Sequence, residues 1–121
     1  MTLKILIVDD SRLSRMMTAH FVQALRPGIE TIEASDGALA IELLNHNSVD
    51  IGIIDMNMPG LSGLDLIEAI RETWPAIRLA LLTANIQEGM RQRAQNLHVH
   101  LFGKPITEAV IGDILQTLAP V

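Results

Sequence analysis

The sequence has no cysteine and no tyrosine, three aromatic residues in 121 and only two lysines, Lys4 and Lys104. Without cysteine there are no disulfides, no thiol nucleophile and no thiolate metal site, a composition that fits a reducing compartment. Long apolar runs are missing as well. The longest stretches without a charged residue, Met16–Leu25 and Ala94–Gly103, are ten residues each, well short of the ~20 apolar residues of a membrane-spanning helix. The opening Met1-Thr2-Leu3-Lys4 leads into a strand-like segment and has no signal-peptide layout, so a cytoplasmic location is expected. A basic surplus is lacking too. Fourteen acids against nine bases give a formal charge of −5, which argues against nucleic acid as a direct ligand.

What is present suits one α/β domain over residues 1–121, with no effector domain fused to it. Hydrophobic residues make up 49% of the chain, enough for a core without staples. The runs Leu3–Val8, Ile51–Ile54 and Ile77–Leu82 read as strands buried on both faces; Glu30–Ala34 and Val99–Phe102 are more polar, as edge strands are. Leu13, Met16, Met17, His20, Phe21, Ala24 and Leu25 predict a first helix buried along that stripe and ending at Arg26-Pro27-Gly28. Asp36, Ser62 and Thr107 are predicted N-caps of three further helices, and Trp74-Pro75 stops the middle one of these. Ile86–Asn96 is the weakest helix. It is mostly polar, and Gly89 within it costs about 1 kcal/mol relative to alanine. Five strands alternating with five helices imply a parallel sheet covered on both faces, because right-handed crossovers place the helices there.

Open sheets of this kind bind ligands beyond the carboxyl ends of their strands. There the predicted strands end in Asp9-Asp10, Asp55, Thr83 and Gly103-Lys104-Pro105. Carboxylates gathered at one place cannot all stay ionised without positive charge among them. An oxygen-only donor set selects a hard cation, and so few carboxylates suit Mg²⁺ better than Ca²⁺. Lys104 adds an ammonium and Thr83 a hydroxyl. A nucleophile, charge neutralisation and oxygen recognition together describe a phosphoryl-transfer site.

Four motifs occur in order at these strand ends: Ile5-Leu6-Ile7-Val8-Asp9-Asp10-Ser11, Asp55-Met56-Asn57-Met58-Pro59-Gly60-Leu61-Ser62-Gly63, Leu82-Thr83-Ala84 and Lys104-Pro105. Through them the chain resembles the receiver domain of two-component response regulators, in particular the stand-alone kind typified by the chemotaxis regulator. The resemblance implies a flavodoxin-like, doubly wound sheet of five parallel strands in the order 2-1-3-4-5 with five helices. It implies that Asp55 accepts the phosphoryl group, and that Asp9, Asp10, Asp55 and the backbone carbonyl of Asn57 hold Mg²⁺. Lys104 would pair with Asp55 and then with the phosphoryl group, and Thr83 would hydrogen-bond a phosphoryl oxygen. Asn57 and Asn85 stand where the family tunes the access of water to the acyl phosphate; two small amides there imply a lifetime of seconds to minutes.

The implied donor is a sensor histidine kinase or a histidine phosphotransfer protein, and the implied receiver of the signal is another protein. That protein would meet helix four, strand five and helix five around Ile86, Met90, Arg91, Arg93, His98, His100 and Leu101. The domain would be a monomer or a phosphorylation-dependent dimer. It would be no enzyme beyond its own phosphorylation and dephosphorylation. Leu101 departs from the family, many of whose members carry Tyr or Phe there, and Leu97-His98 replaces a frequent Gly-Ala.

Other readings are weaker. A Mg²⁺-dependent phosphohydrolase with an aspartyl nucleophile needs a second acid near the nucleophile and a substrate-covering cap; position 57 is Asn, and no insertion is long enough for a cap. A docking module that does not switch has no use for an intact Asp55 and Lys104. A flavin domain would put Ser and Thr after the first strand, where Asp9-Asp10 repels phosphate. Arg12 and Arg15 read as a solvated face, and His98 and His100 lack a third ligand for a metal.

Overall fold

The computed structural model describes residues 2–120. Ten elements alternate along them: β1 (Lys4–Val8), α1 (Arg12–Leu25), β2 (Glu30–Ala34), α2 (Gly37–His46), β3 (Ile51–Asp55), α3 (Gly63–Thr73), β4 (Arg78–Thr83), α4 (Glu88–Asn96), β5 (His100–Gly103) and α5 (Glu108–Leu118). The strands form one parallel sheet in the order β2-β1-β3-β4-β5. This is the expected doubly wound topology. Among the described residues, no helix is long and apolar enough to cross a membrane.

The central strands show no alternation of polarity because both faces are covered. Leu6, Val8, Ile54, Leu79 and Leu81 pack with Ala40 and Leu44 of α2, Leu64, Ile67 and Ile70 of α3 and Ala94 of α4. The intervening Ile5, Ile7, Ile51, Ile53, Ala80 and Leu82 pack on the other face with Val22 of α1 and Ile111, Ile114 and Leu115 of α5. Side chains one residue apart thus serve opposite layers. β4 and β5 begin one residue later than their apolar runs. The N–H of Ile77 turns back to the Trp74 carbonyl (3.3 Å) and that of Val99 to Ala94 (3.0 Å), so both residues close turns.

Four helices start on side-chain caps. Ser11, Asp36, Ser62 and Thr107 accept the N–H of Ser14 (3.2 Å), Leu39 (2.8 Å), Asp65 (3.2 Å) and Val110 (3.1 Å), each worth about 1 kcal/mol. The buried face of α1 follows the predicted stripe at Phe21 and Leu25, which pack on the core, but departs from it elsewhere. Thr18 and Val22 face inward, whereas Leu13 is 66% exposed and Met16 54%. Packing against α5 as well as the sheet selects the inward face, and that choice is not encoded in the periodicity of α1 itself.

Helix α4 buries only Ala94 and has no side-chain cap at its start. Two arginines tether it to α3. Arg93 pairs with Asp65 (2.8 Å) and Glu68 (3.2 Å). Arg71 donates to the carbonyls of Leu97 (3.0 Å), His98 (3.0 Å), Pro75 (3.2 Å) and Ile77. The C-terminus of α4 closes with His98 N–H on the Gln95 carbonyl (3.1 Å) and Val99 N–H on that of Ala94, which is a Schellman motif. Its left-handed position, usually glycine, is His98 at φ 56°.

A side chain with a Cβ disfavours that conformation by about 1 kcal/mol. His98→Gly is therefore expected to raise the urea midpoint without changing the slope of the transition. A lower midpoint would show that the imidazole, rather than the backbone, holds the turn.

Candidate functional site

Parallel strands deliver their carboxyl ends to one edge of the sheet, so four strand ends meet there. Asp9 directly follows β1, Asp55 ends β3, Thr83 ends β4 and Lys104 follows β5. Asp9, Asp55 and Thr83 are buried, and Asp10 is exposed. Lys104 Nζ lies 3.2 Å from Asp9 Oδ2 and 3.0 Å from Asp55 Oδ1. Oxygens of Asp9, Asp10 and Asp55 all lie within 4.8 Å of one another, and this is the only such cluster among the described residues. The register explains the convergence: Val8 pairs with Ile54, so Asp9 and Asp55 emerge side by side.

The local chain is built around these groups. Asp9 Oδ1 accepts the Ser11 N–H (2.9 Å). The Lys104 N–H donates to the Thr83 carbonyl (2.8 Å), and the Lys104–Pro105 peptide is cis. The first turn of α3 lies against the end of β3. A Cβ on Gly63 would stand 2.5 Å from the Asp55 carbonyl oxygen and 2.8 Å from Met56 Cα, an approach open only to glycine.

Three carboxylates face one ammonium. Burial pushes the Asp55 carboxyl above its ordinary value, with Asp9 and Asp10 adding to the rise and Lys104 opposing it. Burial alone would lower Lys104, but the hydrogen bond and charge of Asp55, with Asp9, hold it above its usual range. The residues fit Mg²⁺. They offer oxygen alone, their charges sum to −3 + 1 = −2, and the exposed Asp10 leaves one side open for the waters that Mg²⁺ retains.

The other predicted residues divide. Thr83 Oγ1 donates to the Asn85 carbonyl and accepts the Asn85 N–H, both at 3.3 Å, so the hydroxyl is engaged with its own loop. Asn57 sits two residues past Asp55 in the exposed turn before α3. Arg91, His98, His100 and Leu101 line one groove between α4 and β5. Met90 packs on the core beneath α4, and Ile86 is exposed in the preceding loop. Arg93 does not join them, because Asp65 and Glu68 turn it toward α3.

Two features escaped the sequence reading. The side chain of Arg15 is not a solvated face but is only 16% exposed; it donates to the Asp9 carbonyl (2.7 Å) and to Glu33 Oε1 (3.1 Å). Leu13, Met16 and Met17 of α1 are exposed rather than core, and Met17 borders a groove with Lys104 and Pro105. Nothing in the local sequence separates these roles from ordinary helix positions.

A doubly wound parallel sheet with clustered acids and one lysine at its carboxyl edge defines the class of receiver domains. The chain belongs to the response regulator receiver domain family, whose model matches residues 5–116. It is 30% identical over 119 residues to the chemotaxis protein CheY of Pseudomonas aeruginosa, covering 96% of this chain and 95% of that one. It is 39% identical over 83 residues to the nitrate/nitrite response regulator protein NarP of Escherichia coli K12, and 32% identical over 117 residues to the sensor protein EvgS of Escherichia coli O157:H7. Those alignments take in 68% and 96% of this chain, but only 38% and 10% of the relatives' own lengths. The structure of chemotaxis response regulator CheY4 of Vibrio cholerae superposes with a TM-score of 0.87 at 26% identity, over 98% of this chain and 99% of that one.

A carboxyl whose folded-state pKa is raised contributes most to stability below its ordinary value of 3.8 and loses that contribution as pH rises through the folded-state value. In metal-free buffer, Asp55→Asn is therefore expected to unfold at higher urea than the wild type at pH 7, with the gap closing toward pH 3.8. A gap that stays constant with pH would assign the effect to packing instead of charge.

Proposed function

We propose that residues 1–121 act as one phosphorylation-activated switch domain with Asp55 as phosphoryl acceptor. The observation that carries this reading is the Lys104 ammonium shared between the buried carboxylates of Asp9 and Asp55, with Asp10 beside them. A carboxylate oxygen of Asp55 forms a bond to phosphorus as the bond from phosphorus to the donor's histidine nitrogen, or to the oxygen of a small acyl phosphate, breaks. The product is an aspartyl phosphate, and the leaving group departs with its electron pair. Asp9, Asp10, Asp55 and the Asn57 carbonyl would hold Mg²⁺, which supplies neutralisation of the phosphoryl oxygens. Lys104 stays with the charge as it spreads over those oxygens, so the protein's contribution is mostly positioning.

The Thr83 hydroxyl, now bonded within its loop, would turn to a phosphoryl oxygen and draw residues 84–87 inward. Helix α4 follows that loop, and it is the helix with the least burial and two polar tethers. Low local stability suits a switch element. Leu101 offers no ring to reorient, so the signal would travel through the loop and α4 to the groove formed by Arg91, His98, His100 and Leu101 and its protein target. The exposed Leu13, Met16 and Met17, next to the Lys104 edge, suit docking of a sensor kinase or phosphotransfer protein. A cytoplasmic setting fits the cysteine-free composition. Asn57, where a phosphohydrolase of similar topology needs an acid, supports a switch over an enzyme.

Incubation with Mg²⁺ and acetyl phosphate is expected to give a phosphoryl adduct by mass spectrometry on the wild type and none on Asp55→Asn, decaying in seconds to minutes. Trp74 caps the far end of α3, so mass is a better readout than its fluorescence. No adduct from any donor would leave a docking module, and turnover of phosphate esters would make the protein a hydrolase.

A further inference from the structure

Asp9 is held at each of its polar groups. Its N–H donates to the Ala34 carbonyl (3.1 Å), Oδ1 accepts from Ser11 (2.9 Å) and Oδ2 from Lys104 (3.2 Å). Its carbonyl accepts from Arg15 Nη1 at 2.7 Å. Asp10 is the reverse case. It is exposed, and among the described residues its carboxylate makes no hydrogen bond or ion pair. Yet one of its oxygens stands within 4.8 Å of those of Asp9 and Asp55.

The Asp9 carbonyl and the Asp10 N–H belong to one rigid peptide plane. A group that fixes that carbonyl fixes the plane from which the Asp10 side chain projects. Arg15 is such a group, and it is itself pinned by Glu33 Oε1 at 3.1 Å, one residue before the Ala34 carbonyl that takes the Asp9 N–H. The planar fork of the guanidinium lets one side chain hold both partners. Resting on the cation site proposed above, we infer that Arg15 is a positioning residue for that site. From β2 through Glu33, it locks the Asp9–Asp10 peptide plane and so aims the otherwise unanchored Asp10 carboxylate at the cation.

Support of this kind around a metal ligand is commonly worth tenfold or more in affinity. Mn²⁺ is the probe, read by the electron paramagnetic resonance of the free ion, with folding followed by circular dichroism. Arg15→Met is expected to raise the Mn²⁺ Kd about tenfold, and Arg15→Lys to recover part of the loss. Because Arg15 acts through Asp10, Arg15→Met combined with Asp10→Asn should bind no worse than Asp10→Asn alone. A purely structural staple would not show that coupling. If Arg15→Met does not fold, Glu33→Gln carries the same cycle with a smaller rise in Kd. A folded Arg15→Met, or in its place Glu33→Gln, with the wild-type Kd would overturn the inference, as would penalties that simply multiply with that of Asp10→Asn. A wild-type chain that binds no Mn²⁺ would overturn the cation site beneath it, a result visible without any Arg15 variant.

Discussion

The site depends on one shared cation. Lys104 stands between two carboxylates that the sheet buries side by side, and among the described residues no second ammonium or guanidinium is paired with them. Removing charges from water is costly, and one lysine cannot compensate two buried acids with a third beside them. The residual electrostatic strain shows in the raised Asp55 pKa, caused first by burial and then by the neighbouring acids. A hydrophobic cluster at that edge would make a more stable protein, and an inert one. Instability at the strand ends is what the cation and phosphoryl site proposed above would draw on.

Around that lysine the arginines do a different task. Arg15, Arg26, Arg71 and Arg78 each donate to backbone carbonyls: of Asp9; of Ala119 at 2.8 Å; of Leu97 and His98; and of Leu118 at 2.6 Å. Guanidinium forks stitch turns and helix ends that have no partners of their own. Lys4, the other lysine, pairs with Glu30 at 2.9 Å and reaches Asn47 at the opposite edge of the sheet. The scarcity of lysine is therefore a division of labour, with forks for scaffolding and a point charge for the site. The same stitching makes α4 conditional. Its attachment through Arg71 and Arg93 is polar, in contrast to the apolar seams of α3 and α5.

Much of this was legible beforehand. Residues that act through local chemistry announced themselves: the caps Asp36, Ser62 and Thr107, the stop at Trp74-Pro75, and the polar groups that end each apolar run. Residues whose role depends on a distant neighbour did not. Arg15 looks like any arginine in a first helical turn until β2 brings Glu33 to it, 18 positions along the chain. Arg93 looked like part of an open surface until α3 presented Asp65 and Glu68. The early part of the α1 stripe, Leu13, Met16 and Met17, is exposed for the same reason, since the helix's inward face is selected by packing on α5.

By itself the sequence determined the alternation of strands and helices, the sheet's two-sided burial and the residue types at its carboxyl edge, because these follow from short-range periodicity and capping. Only the tertiary structure decided how the strand ends are partnered. It set Lys104 between Asp9 and Asp55, tied the Thr83 hydroxyl into its own loop, and anchored the Asp9–Asp10 peptide through Arg15. Those relations are set by register and by packing between elements far apart in the chain, and no local pattern encodes them.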